Sequence, residues 1–183
     1  PGTRIMIDPV FGDHGHLYHG LSDDYVSAMR SFIHSADLIT PNLTEACFLT
    51  GTPFCETECS SSVLHALGEH LCALGPSKIV ITGIRDGDFF VNFTFDAEHS
   101  TSDSCRVPVS GSSRPGTGDI FASIVAAKLL ARMVDAKVPN VRAKVIAVFI
   151  CYGLLKLGKG NLVGFLTFQP VKACNGIKRT DTA

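Results

Sequence analysis

Ser113-Arg114-Pro115-Gly116-Thr117-Gly118-Asp119-Ile120-Phe121-Ala122 is the stretch around which the chain is organised. A turn of small residues stops, an Asp follows, and an apolar pattern of helical period begins at once. Ile120, Ile124, Ala127 and Leu130 recur at that spacing, and the helix is expected to run to about Met133. Gly116-Thr117-Gly118 therefore reads as a helix entry. The first N–H groups of a helix have no intrahelical acceptor, and the helix dipole adds partial positive charge there. Two glycines let that backbone approach an anion, and Asp119 would face the same space. A phosphate cradle beside a carboxylate base suits phosphoryl transfer to a hydroxyl. An ordinary helix start with an acidic first turn fits the same residues.

Working outward, the flanking sequence alternates strand and helix patterns. Ile5-Met6-Ile7 is a short buried-strand run ended by Asp8-Pro9, and Pro cannot extend a central strand. Gly12 to Gly20 reads as a loop, and Ser22-Asp23-Asp24 as a helix start with Tyr25, Met29, Phe32 and Ile33 on one face. Ala36 to Thr40 is a second strand, cut off by Pro41. Asn42 to Thr50 is a short helix closed by Gly51, and Ser60 to Leu74 a longer one stopped by Gly75-Pro76. Lys78 to Thr82 is a third strand followed by Gly83. Phe89 to Phe95 and Arg106 to Val109 suggest antiparallel strands about the Asp86-Gly87-Asp88 turn. Asn140 to about Leu157 is apolar and reads as a further helix. Its apolar centre, Val145 to Tyr152, is far short of the roughly 20 residues of a membrane helix.

This alternation predicts an α/β fold with a parallel sheet between helical layers. Ligands of such sheets bind beyond the carboxyl ends of the strands. Asp8, Thr40 and Thr82 lie at those ends, so one cleft could collect them with Gly116 to Asp119. Asp8 could hold magnesium, which accepts few protein carboxylates and keeps several waters, or simply occupy a turn. Asn42 and Glu45 have capping-box spacing, and the same spacing would let Glu45 orient metal-bound water. Thr82-Gly83 could contact phosphates or only turn the chain. His14, His16 and His19 share a loop without the Cys or carboxylate spacing of a metal site.

The 183 residues carry 16 basic and 17 acidic side chains, a formal net charge of -1. That balance gives no reason to expect nucleic acid or an anionic membrane as partner. The seven cysteines include Cys55 and Cys59 but no paired C-x-x-C, and read as reduced thiols of a cytoplasmic protein. Nothing at the N-terminus resembles a signal peptide. Pro1-Gly2-Thr3 runs straight into a buried-strand pattern, as in a chain entered partway through a sheet.

Asp8-Pro9-Val10-Phe11-Gly12-Asp13-His14-Gly15-His16-Leu17-Tyr18 is similar to the D-P-V-M-G-D-x-G-x-L-Y of the pyridoxal and pyridoxamine kinases, within the ribokinase-like small-molecule kinases. Ala36-Asp37-Leu38-Ile39-Thr40-Pro41-Asn42-Leu43-Thr44-Glu45-Ala46 resembles their A-D-x-I-T-P-N-x-x-E-A, and Ile79 to Gly83 and Gly116 to Asp119 follow in family order. The resemblance covers about residues 4 to 133 and treats 1–183 as the C-terminal portion of one kinase domain. It implies a three-layer α/β/α sandwich that is incomplete at the N-terminus, because family members carry further strands before Ile5.

The resemblance also implies roles. Asp119 would be the base for the substrate's hydroxymethyl group, and Gly116, Thr117 and Gly118 the anion hole. Asp8, Asn42 and Glu45 would organise Mg2+ and the ATP phosphates, with Asp8 and Glu45 nearest the metal. Thr82 and Gly83 would lie along the nucleotide, and Arg106 to Val109 corresponds to a nucleotide-side loop. The implied partners are ATP and a vitamin B6 vitamer, in a homodimer. Neighbouring hydroxymethylpyrimidine kinases usually carry Cys where Asp119 stands. Sugar kinases lack the loop from Gly12 to Tyr18. The tail from Val134 departs from the family, and a non-catalytic nucleotide-binding remnant is the alternative from another class.

Overall fold

Short apolar runs become strands because each has parallel neighbours to pair with. In the computed structural model, which describes residues 3–54, 59–110, 116–135, 144–149 and 164–168, β1 (Thr3–Asp8) is central. The hairpin β2 (Gly12–Asp13) and β3 (His16–Leu17) follows, then α1 (Asp23–Ile33), β4 (Leu38–Ile39), α2 (Leu43–Thr50) and α3 (Ser61–Ala73). A meander of β5 (Lys78–Asp86), β6 (Phe89–Asp96) and β7 (Thr101–Pro108) leads to α4 (Thr117–Asp135), and β8 (Lys144–Phe149) and β9 (Gly164–Phe168) complete the set. One sheet has the order β7-β6-β5-β4-β1-β8-β9. Its centre, β5-β4-β1-β8, is parallel, and β6, β7 and β9 add antiparallel margins.

The period-2 alternation of the strands sorts the core into two faces. Ile7, Ile39, Ile79 and Ile81 are buried in a cluster with residues of α1, α2 and α3. Met6 and Leu38, one residue out of step, are buried with Ala122, Ala126 and Leu130 of α4. The result is the expected three layers. Helix α1 buries Val26, Met29 and Ile33, with Asp23 and Asp24 in its first turn and Arg30 in its last, each sign matched to the dipole. Arg30 also reaches across to the end of α2, donating from Nε to the Leu49 carbonyl at 2.7 Å and from Nη2 to the Phe48 carbonyl at 2.7 Å. Helix α3 packs closely on β6 at Gly68, where a Cβ would lie 2.8 Å from Phe95 Cγ.

Two expectations change. The apolar span read as a helix from Asn140 to Leu157 contains a strand: Lys144–Phe149 pairs in parallel with β1 over its full length, Thr3 opposite Lys144 to Asp8 opposite Phe149. The rest of that span lies outside the described residues. A short β-branched run is ambiguous by periodicity, and the edge of β1 offers a row of backbone partners that decides it. The second change is at β5, which does not stop at Thr82. It continues to Asp86 through a register irregularity between Ile81 and Ile84.

Candidate active site

Parallel pairing brings three chain segments to one sheet end. Asp8 closes β1, Thr40 follows β4 with its N–H bonded to the Ile7 carbonyl at 3.1 Å, and the Thr82 N–H meets the Pro41 carbonyl at 2.9 Å. Ile81 pairs with Phe93 but Ile84 with Val91, so β5 holds one extra residue there, and Gly83 takes φ 70. Such a bulge re-aims the strand. It sets Gly83 beside Asn42, where a Cβ would lie 3.8 Å from the Asn42 Cβ.

Asp8 is 6% exposed and accepts a 2.6 Å hydrogen bond from the Thr40 hydroxyl on Oδ1. Burial pushes its carboxyl up from 3.8 to about 6; the Thr40 bond opposes this, and repulsion from nearby Asp119 adds to it. The sequence puts Thr40 at a strand end beside the cleft, a hydroxyl immediately before Pro41; the structure adds its bond to Asp8.

Glu45 is 3% exposed. Its Oε1 accepts from the Phe11 N–H at 3.0 Å and the Gly12 N–H at 3.4 Å, and Oε2 from the Asn42 N–H at 2.8 Å. The Asn42 side chain accepts from the Glu45 N–H at 2.9 Å, so the capping-box reading of this pair is realised in full. Burial pushes Glu45 up to about 8; its three backbone donors oppose the shift and Asp8 adds to it. The groups that favour ionisation of Asp8 and Glu45 are thus neutral hydroxyl and amide donors. Mutually repelling, desolvated carboxylates offering hard oxygen atoms suit a divalent cation such as Mg2+.

Gly116 turns the chain into α4 at φ 88, and its carbonyl accepts the Ile120 N–H at 3.1 Å. A Cβ at Gly116 or Gly118 would meet nothing within 4 Å, so this backbone borders open space. Asp119 is half-buried at the head of an exposed face of α4 that continues along Ile120, Ser123, Ile124 and Ala127. Asp119 and Asp8 are close enough to interact, which joins the α4 entry to the sheet end. Arg106 lies on β7, bonded to Asp86 at 2.9 Å and 4.0 Å over the Phe89 ring. The Gly12 to Gly20 loop contains the hairpin β2–β3.

Protonation of Asp8 and Glu45 is stronger in the folded chain than in the unfolded one. Their contribution is therefore present below about pH 4 and is lost as pH rises through about 6 for Asp8 and about 8 for Glu45. Asp8→Asn removes the first part. Relative to wild type it should gain stability between pH 4 and 7, by about 1.4 kcal/mol per unit of the Asp8 shift. Millimolar Mg2+ should raise the thermal midpoint of wild type at pH 7 and leave that of Asp8→Asn nearly unchanged. Thermal midpoints across pH, with and without Mg2+, check both; parallel curves for the two proteins would refute the assignment.

The open α/β sheet, with its Gly-Thr-Gly-Asp helix entry, has the ribokinase-like fold of the solved small-molecule kinases to which this chain is similar. The chain belongs to the phosphomethylpyrimidine kinase family, which matches residues 2–143. It is 30% identical over 128 residues to a pyridoxal kinase of Deinococcus radiodurans, covering 68% of this chain and 43% of that protein. A Bacteroides thetaiotaomicron protein described as a phosphomethylpyrimidine kinase, crystallised with pyridoxal, superposes with TM-score 0.66 at 30% identity, covering 70% of this chain and 46% of that one. The pyridoxal kinase of Leishmania donovani, in complex with ADP and pyridoxamine, gives TM-score 0.57 at 25% identity over 70% of this chain and 42% of that one. The chain thus spans less than half the length of these relatives. Among the described residues, no helix is long and apolar enough to cross a membrane.

Proposed function

We propose that this chain carries the phosphate-handling part of an ATP-dependent kinase that phosphorylates the 5′-hydroxymethyl group of pyridoxal, pyridoxamine or pyridoxine. The observation that carries the reading is the meeting of the α4 entry with the buried carboxylates of β1 and α2 at one sheet end. The relatives named for pyridoxal kinase activity, and the ADP and pyridoxamine held by one of them, support the substrate class.

In this reading Asp119 accepts the hydroxyl proton as the hydroxymethyl oxygen bonds to the γ-phosphorus and the bond to the bridging oxygen of ADP breaks. The amides of Gly116, Thr117 and Gly118 receive the charge on the transferring group. Thr82 and Gly83 lie along the nucleotide. Mg2+ would be held by Asp8 and Glu45, with Asn42 beside them, and would neutralise phosphate charge. Both Glu45 oxygens already accept backbone donors, so Glu45 would reach the metal through a remaining lone pair or a water. Residues 1–183 form one portion of a single domain, working as a homodimer. An odd number of cysteines, seven, with no paired C-x-x-C favours a reducing compartment, the cytoplasm.

A second reading, a nucleotide-binding chain without turnover, rests on the same grouping of Asp8, Glu45 and Asp119 at the sheet end, which serves phosphate binding as well as phosphate transfer. Calorimetric titration with ATP, with and without Mg2+, alongside detection of phosphorylated B6 vitamers, separates the two. Mg2+-dependent binding with turnover supports the kinase, and binding without turnover supports the second reading. Absence of nucleotide binding refutes both.

A further inference from the structure

We infer that the first turn of α2 is a latch for the hairpin β2–β3, and that Thr44 is the positioning residue at its tip. The hairpin has only two residue pairs, Gly12 with Leu17 and Asp13 with His16, joined by a turn in which His14 and Gly15 both have positive φ, 49 and 77. A ribbon of that size does not hold itself in water. Besides the Tyr18 N–H bond to the Phe11 carbonyl at 2.9 Å and the packing of Phe11 and Leu17 in the core, three side chains of one helix start hold it. The Asn42 Nδ2 donates to the Gly12 carbonyl at 2.7 Å, Glu45 Oε1 accepts from the Phe11 and Gly12 N–H groups, and the Thr44 hydroxyl accepts from the Gly15 N–H at 2.9 Å.

Packing closes the same contact. A Cβ at Gly12 would lie 2.8 Å from the His16 carbonyl and 3.4 Å from the Thr44 methyl, and one at Gly15 would lie 2.7 Å from the Phe54 ring. Thr44 is 2% exposed, so its hydroxyl is committed to this bond away from water. Asn42 and Glu45 therefore act on the chain that leaves Asp8, whatever else they touch. Anchored at Phe11, Gly12 and Gly15, that chain fixes the direction in which β1 ends and so the placement of the Asp8 carboxylate. This last consequence rests on the kinase reading; the latch itself does not.

Hydrogen exchange on the full 183-residue chain tests the latch, using wild type, Thr44→Val and Thr44→Ser. Valine keeps the methyl contact and removes the acceptor; serine keeps the acceptor. Amides of residues 11 to 18 should exchange about fivefold to tenfold faster in Thr44→Val and return toward wild type in Thr44→Ser, while α1 and α3 amides stay unchanged. Gly15→Ala should reproduce the valine pattern through the Phe54 contact. Mg2+-ATP affinity should fall about tenfold in Thr44→Val and recover in Thr44→Ser. Unchanged hairpin exchange in Thr44→Val, or acceleration spread evenly over the chain, overturns the latch. If wild type binds no Mg2+-ATP, the kinase reading fails while the exchange pattern still decides the latch.

Discussion

Under the proposed kinase reading, replacing Asp119 by Asn is expected to lower the rate constant for B6 vitamer phosphorylation by about 10²- to 10⁴-fold, the usual contribution of a general base. Asn keeps the size of the side chain and most of its hydrogen-bonding capacity, so the α4 entry at Gly116 keeps its form. What is lost is the ability to take a proton as the hydroxyl attacks. A group that acts in the transition state affects turnover rather than ground-state binding. Nucleotide affinity should hold or tighten, because Asp119 repels Asp8 and would repel phosphate as well. Single-turnover kinetics with separate measurement of ATP affinity check this. A variant with near-native turnover would remove Asp119 from the role of base.

The second large effect is structural. Gly75→Ala should destabilise the fold by about 3–5 kcal/mol, combining backbone strain with a steric clash. Gly75 follows α3 at φ 134, a conformation L-residues rarely adopt. An added Cβ would lie 2.5 Å from the His34 carbonyl oxygen and 2.6 Å from the His34 Cα. These are backbone atoms just beyond α1, and the His34 ring is itself 3.1 Å from the Leu74 carbonyl, so no side-chain rotation relieves the contact. For a chain of this size the thermal midpoint should fall by about 10 °C. A midpoint within a few degrees of wild type would show that the ends of α1 and α3 can separate cheaply.

Much of the architecture was legible because local signals agreed with one another. Asp8-Pro9 and Thr40-Pro41 end strands since proline cannot donate to a ladder, and both strands do end there. Asn42 and Glu45 announce a helix start by spacing alone, and the capping box is present. Less of the site was legible. Thr40 reads only as a strand end bordering the cleft, and Thr44 as an ordinary polar residue, until the fold places one against Asp8 and the other against Gly15. Their partners are 32 and 29 residues away, beyond any sequence window.

By itself the sequence determined the alternation of strands and helices as far as α4, the boundaries marked by proline and capping residues at Asp8, Asn42 and Gly75, and the glycine entry to α4. These follow from hydrophobic period, proline geometry and capping, which act over a few residues. The tertiary structure alone decided which strands pair, that Lys144–Phe149 lies against β1 as a strand, and that β5 bulges at Thr82 and Gly83. It also decided that Asp8 senses the charge of Asp119, and Glu45 that of Asp8. Backbone pairing and desolvation depend on segments distant in the chain, and only their meeting at the carboxyl end of the sheet turns a helix start into a candidate site.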